Sequence, residues 1–374
     1  MSTLILRPHD TLFLRDGRPF NQGDQEQAAT SGIFPPYPPT VVGAMRAALA
    51  RARGWTGGAW SAELKATLGD GVDWAAGDGA LGPLRFVGPI IMKGAEPRFP
   101  VPLCLLVKRS GGEDARVTRL APGEASDCDL GRVSLPQPVT AIEGAKAPED
   151  DWIDADGLKA VLDGGAPAPA SLVAQGELWQ TEARVGIARD AATRTTGDDA
   201  LYAAAHVRLK DGIAIAVSVD GADLAGLAGS MIPLGGEGRS VWIERCDAGL
   251  ALPEPPALAA GDDGTLRYTI VLLSPAYFGD AEEGWPQPGG RICDGEGTPL
   301  PGRIVSGCVG KPVRIGGWDS VNRTPLPLRP LAPAGSVWFM AAAADDAGAV
   351  LERHGRGIGR STAWGFGLAL VGCW

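Results

Sequence analysis

The chain has 374 residues, 45% of them hydrophobic, with 34 Lys plus Arg against 44 Asp plus Glu and a net charge of −10. That length exceeds one usual core and points to two domains, and the hydrophobic share excludes wholesale disorder. The charge has the wrong sign for a stand-alone nucleic-acid binder, so any such site must be a local basic groove or one shared with partners. Six cysteines form no CxxC pair and three histidines form no HExxH, which leaves no metal site or disulfide framework to predict. No signal-peptide pattern opens the chain and no apolar run approaches the ~20 residues of a membrane span. A soluble, cytoplasmic protein without a cofactor is expected.

Residues 4–15 alternate, with Leu4, Leu6, Leu12 and Leu14 on one face and Arg7, His9 and Arg15 on the other, and predict a half-buried strand. The turn that follows keeps Arg15 and Arg18 near the strand end. A Pro-rich approach, residues 34–40, leads into a helix with Thr40 as N-cap, an apolar side at Val41, Val42, Met45, Ala48, Leu49 and Ala52, and Gly54 at C′. Arg46 and Arg53 share one side of it, either a solvated face or a phosphate contact.

Short strands follow at 84–87, 90–92 and 101–107. Residues 110–176, rich in Gly, Pro, Asp and Ala, read as an insertion. Leu178–Ile187 and Leu201–Leu209 flank a polar turn and predict a long hairpin. Next come a strand at 213–219, a helical patch at 222–228, the turn Gly236-Glu237-Gly238-Arg239-Ser240 and a strand at 241–243. Residues 247–264 read as a linker.

The second unit opens with an apolar strand from Tyr268, broken at Ser274-Pro275. A basic tract then carries Arg303, Lys311, Arg314, Arg323 and Arg329, with Asp319 the one acid between Gly302 and Pro330. Within it, Trp318 is a candidate for stacking on a base or for packing in a core. A strand at 336–340, a helical patch at 346–353 and a final strand at 368–371 complete the chain.

Just before that final strand lies the Gly-rich stretch 355–367, where Arg356-Gly357-Ile358-Gly359-Arg360-Ser361 repeats the G-x-G-R-S of residues 236–240. Glycines that leave N–H groups uncovered among arginines suit a phosphate. The segment after the glycines reads as strand, which excludes a dinucleotide fingerprint, and no G-x-x-x-x-G-K-[ST] is present. What remains is a tight β-turn without a ligand or a loop lying along a polyanion.

Strand, helical patch, Gly-rich turn and strand thus occur twice. The predicted fold is α+β: two tandem ferredoxin-like (RRM-like) β-α-β-β-α-β domains, residues 1–250 with an insertion at about 110–176, and residues 265–374.

Several blocks then resemble a known family. Leu6-Arg-Pro-His-Asp-Thr-Leu-Phe-Leu-Arg-Asp-Gly-Arg-Pro-Phe20, Phe34-Pro-Pro-Tyr-Pro-Pro-Thr-Val-Val-Gly-Ala-Met-Arg46, Arg184-Val-Gly-Ile187, Gly316-Gly-Trp-Asp319 and the terminal Gly-rich loop are similar to the third subunits of the Cmr module of type III-B CRISPR effectors, in the RAMP superfamily. The resemblance implies an antiviral ribonucleoprotein subunit that binds the 5′ handle of the guide (crRNA). Its implied partners are the large polymerase-like subunit and the backbone RAMP subunits, with target RNA nearby.

By motif, the implied RNA contacts are Arg15, Arg18, Arg46, Arg184, Arg239, Arg314, Trp318, Arg356 and Arg360, with the amides of Gly236, Gly238, Gly357 and Gly359 on phosphates. No catalytic residue and no metal is implied. Some relatives cut repeat RNA without metal, which makes His9, His206 and His354 the residues to weigh for an endoribonuclease. A purely structural adaptor is the third reading.

Overall fold

The computed structural model describes every residue except 16–28, 31, 111–112, 129–130, 149, 190–191, 194, 281–284 and 321. The chain opens with β1 (Ser2–Pro8), β2 (Ala29–Thr30), α1 (Pro38–Ala52), α2 (Ala62–Leu68) and β3 (Arg85–Lys93). Then come β4 (Glu96–Pro100), β5 (Leu105–Ser110), β6 (Glu113–Cys128), β7 (Gly131–Pro138), β8 (Asp151–Ile153), α3 (Ala155–Leu162) and β9 (Leu172–Ala174). The long hairpin β10 (Trp179–Arg189) and β11 (Thr196–Leu209) precedes β12 (Ile213–Asp220), β13 (Met231–Pro233) and β14 (Ser240–Cys246). The second half holds β15 (Thr265–Leu272), β16 (Arg303–Cys308), the hairpin β17 (Val313–Asp319) and β18 (Thr324–Leu331), β19 (Val337–Ala343), α4 (Ala347–Leu351), β20 (Arg356–Gly357) and β21 (Leu368–Cys373).

The result is a mixed α/β, sheet-rich molecule. One antiparallel sheet runs β13-β14-β1-β12-β3-β4-β8-β9 and a second runs β16-β19-β15-β21-β20. At the centre of the first, β1, β3, β12 and β14 sit side by side in the order fourth, first, third, second. The strands β15, β16, β19 and β21 take the same order in the second sheet. Residues 110–176 do more than the predicted insertion: β8 and β9 extend the first sheet beyond β4. In addition, α3 packs into a core shared with β19 and β21.

The alternation read in residues 4–15 places Leu4, Leu6, Leu12 and Leu14 in the core with Val41, Val42, Met45 and Leu49 of α1. Each such aliphatic side chain contributes about 1.5–3 kcal/mol on burial. The helix begins two residues before the predicted cap. Tyr37 is the N-cap, and Pro38 and Pro39 fill the first turn, where a missing N–H costs nothing.

The predicted helix at 222–228 is a run of turns. Asp223 accepts from Ala225 N–H, and only Leu224 and Leu227 reach the core, too few anchors to offset helix nucleation. No helix among the described residues is long and apolar enough to cross a membrane.

Candidate nucleic-acid interface

The C-terminal Gly-rich loop is a joint between the halves, which corrects the expectation of amides aimed at phosphates. The N–H groups of Gly355, Ile358, Gly359, Arg360 and Gly367 donate to the carbonyls of Ala369, Gly367, Cys293, Tyr277 and Pro275. Ala363 N–H and Thr362 Oγ1 both donate to Asp78, and Ser361 Oγ donates to Trp74 O, all across to the first half. Trp364 and Phe366 are buried in the core of α1. Glycine is required because backbone closes in: a Cβ on Gly359 would lie 2.5 Å from Tyr277 O, and one on Gly367 1.9 Å from Ile358 O. Gly357 is likewise closed off by Thr362, whose Cβ would lie 2.5 Å from an added Cβ.

That joint braces a large groove. Its walls are α1 with the loop to Trp60, residues 13–15, residues 233–236 and the β17–β18 hairpin, around a volume of about 1630 Å³. Trp74, buried against Tyr277 and Phe366, donates from Nε1 to Gly316 O at 2.7 Å and so fixes the hairpin to the first half.

Arg15, Arg46, Arg51, Lys65, Arg314 and Arg323 line the groove, against the acids Asp70 and Asp319. The Asp319 carboxylate is spent on Asn322, accepting from its backbone N–H and from Nδ2. A chain with more acids than bases therefore concentrates bases here.

Tyr37, Trp55, Trp60 and Trp318 interleave with these cations. Trp318 is 59% exposed, which settles its two readings against core packing. It stands on the opposite face of β17 from Ile315, the residue that enters the core. An indole held at a strand surface among guanidiniums has the exposed flat face that base stacking requires. Tyr37, Trp55 and Trp60 were missed in the sequence, although the run Trp55-Thr-Gly-Gly-Ala-Trp60 after the helix stop offered an aromatic-glycine signal.

Of the sequence-predicted contacts, Arg15, Arg46, Gly236, Arg314 and Trp318 come together in this groove. Arg46 has a different task there. It is 7% exposed and donates to Leu68 O, Gly69 O and Gly71 O at 2.8, 2.8 and 2.6 Å, capping the end of α2. Its guanidinium sits 5.0 Å from the Trp60 ring centroid, and burial lowers its pKa to about 10, opposed by Asp70. Arg46→Met is expected to destabilise the fold by about 3 kcal/mol, because three carbonyls lose a charged donor. Arg46→Lys should recover only part, since a point donor cannot reach all three. Thermal unfolding reads this out, and unchanged stability would return Arg46 to the role of a surface contact.

The remaining candidates lie elsewhere. Arg184 and Arg239 pair with Asp10 beside the groove end. Gly238, Arg356, Gly357, Gly359 and Arg360 do not line the groove, and Arg18 falls outside the described residues. The amide of Gly236 donates to Phe13 O. Among the histidines, buried His206 uses Nδ1 on Thr11 and Nε2 on Glu237, and burial lowers its pKa. His354 accepts at Nδ1 from Val371 N–H, so its Nε2–H donates to Pro253 O. Both imidazoles are structural ties. Among the described residues, no cluster of three or more metal-ligating side chains forms.

A chain of the cryo-EM structure of the type III-B Cmr-beta bound to cognate target RNA has a TM-score of 0.51 at 16% identity, over 90% of this chain and 86% of that one. A chain of the same assembly with AMPPnP gives 0.49 at 16% identity, over 90% and 86%. A chain of the Csm3-Csm4 subcomplex of the type III-A interference complex gives 0.40 at 10% identity, over 100% and 99%. The search of curated protein sequences gives no match. The model of the family described as CRISPR-associated protein (Cas_Cmr3) matches residues 4–374. With nearly its whole length matched, the chain belongs to the Cas_Cmr3 family of CRISPR-associated proteins.

Proposed function

We propose that this subunit of a type III-B CRISPR effector complex holds the 5′ handle of the guide RNA in the groove between α1 and the β17–β18 hairpin. The observation that carries the reading is the coincidence, in one groove of an acidic chain, of Arg15, Arg51, Lys65, Arg314 and Arg323 with Tyr37, Trp55, Trp60 and Trp318. Single-stranded RNA needs both: cations along its backbone and flat surfaces for splayed bases. Family membership supports the complex, and the groove supports the RNA.

Each half follows as a ferredoxin-like unit, because the four central strands of both take the order fourth, first, third, second. The first half keeps the first crossover helix, α1, and the second half keeps the second, α4. The subunit acts without catalysis, docking the large polymerase-like subunit to the backbone RAMP subunits. The structural engagement of His206 and His354 supports that part of the reading.

The test is photo-crosslinking of a guide carrying 4-thiouridine in its handle, within the assembled complex. Crosslinks on peptides containing Trp318 or residues 55–60 are expected. Crosslinks confined to other subunits would overturn the assignment, and cleavage of repeat RNA by the purified chain in EDTA would overturn its non-catalytic character.

A further inference from the structure

Next to the Phe13 and Gly236 wall of the groove, three guanidiniums gather on one carboxylate. Arg184 Nη2 lies 3.0 Å from Asp10 Oδ2, Arg208 Nη2 3.0 Å from Asp10 Oδ1, and Arg239 Nη1 3.1 Å from Asp10 Oδ2. Glu182 ties Arg184 and Arg208 together from the other side. Asp10 and Glu182 thus bring two carboxylates to three guanidiniums, while the Glu237 carboxylate accepts from Nε2–H of His206.

The cluster is continuous with the groove. Gly236, which lines it, and Arg239 belong to one loop, while Phe13, which also lines it, stacks on His206 at 5.0 Å. The Asp10 side chain is 40% exposed, whereas Arg239 is 21% exposed and its Nε–H is buried without an acceptor among the described residues.

A carboxylate and a phosphodiester each offer two oxygens and one negative charge to guanidinium forks. We propose that Asp10 is an internal stand-in for an RNA phosphate, filling the cage of Arg184, Arg208 and Arg239 until a guide strand leaving the groove past Phe13 places a backbone phosphate there and turns Asp10 out to solvent. This rests on the groove as the RNA site and adds its regulation. A tethered carboxylate competes at the high effective concentration of an intramolecular group, so only a strand already anchored in the groove displaces it. Short or stray polyanions meet a closed cage. Hydrogen bonding from Arg184 foremost, with Thr11 N–H and Arg208, holds the Asp10 pKa at about 2, so the competitor stays charged at working pH.

The experiment measures binding of uridine homopolymers of about 6 and about 16 nucleotides to the full chain across a salt series, lengths that fit the groove alone or overrun it. Asp10→Asn should tighten binding of the long oligomer by about 5- to 10-fold, steepen its log K against log salt slope by about 0.7, and leave the short one unchanged. Arg184→Gln with Arg208→Gln should weaken the long oligomer only, which keeps the proposal testable even where Asp10→Asn folds poorly. Unchanged affinity and slope for both lengths in Asp10→Asn would overturn it. So would an arginine pair variant that binds RNA normally but no longer assembles with partner subunits, which would assign the cage to a protein carboxylate. Trp318→Ala separates the two readings: weakening of both lengths upholds the groove whatever Asp10 does, and no effect on either removes the groove itself.

Discussion

Gly365→Ala is expected to cost about 3–5 kcal/mol of folding stability, among the larger effects a single methyl can have. Gly365 has φ 95°, a left-handed conformation that disfavours a side chain by about 1 kcal/mol or more. The added Cβ would also meet Gly88 O at 2.4 Å, and that carbonyl belongs to β3 of the first half. Neither backbone can retreat cheaply. Gly365 O accepts from Ser274 Oγ, and Gly88 is held between the β3–β12 pairs Val87–Ser218 and Ile90–Ala216. The substitution therefore wedges the halves apart at the seam where Trp364 and Asp78 hold them. Gly348→Ala in α4 is the control, because an added Cβ there meets nothing within 4 Å, and a helix position gains about 0.5–1 kcal/mol from the change. Denaturant unfolding of both variants decides the matter. Equal stability would mean that the two halves are not bound through this loop.

The same seam explains which parts of the molecule were legible in the sequence. The helix stop at Gly54 and the long hairpin from 178 to 209 are local signals that formed where their patterns lay, whereas the alternation in residues 4–15 gave a strand only to Pro8, with single bridges at Leu12 and Arg15 beyond it. The paired G-x-G-R-S turns mark corresponding places in the two halves, since both precede the last strand of their half. The purpose of the glycines was not legible. A glycine that exposes an amide to a phosphate and a glycine that admits another backbone look identical in one dimension. Only the partners distinguish them, and for Gly359 those are Cys293 and Tyr277, residues 66 and 82 positions earlier.

Arg46 was misplaced for a related reason. Its helical position shows only the side it shares with Arg53, and the carbonyls that bury it belong to residues 68–71, beyond the reach of any periodicity. For Trp318 the residue type alone does not choose between stacking on a base and packing in a core. Once β17 is paired, strand parity sends Ile315 inward and leaves the indole outside. The groove was thus half legible. Its basic tract could be read as a charge anomaly, whereas its aromatic wall arises from three separate segments that meet only on folding.

Trp318→Ala is expected to weaken binding of a single-stranded guide handle by about 5- to 150-fold, the equivalent of the ~1–3 kcal/mol that one base gains on an aromatic platform. Because the side chain is 59% exposed and lies outside the hydrophobic cores, stability should stay within about 0.5 kcal/mol of the parent, so a loss of binding reports on RNA directly. Arg314→Ala with Arg323→Ala acts through a different term. Each lost phosphate contact releases one fewer set of counterions, and the salt slope should flatten by about 0.7 per arginine. Stacking and charge are therefore separable in one titration: the tryptophan variant shifts the line of log K against log salt without tilting it, and the arginine variants tilt it. A tryptophan variant that keeps full affinity at every salt concentration would remove base stacking from this groove. Arginine variants that shift the line without tilting it would show that these side chains hold the β17–β18 hairpin in place and do not touch the guide backbone.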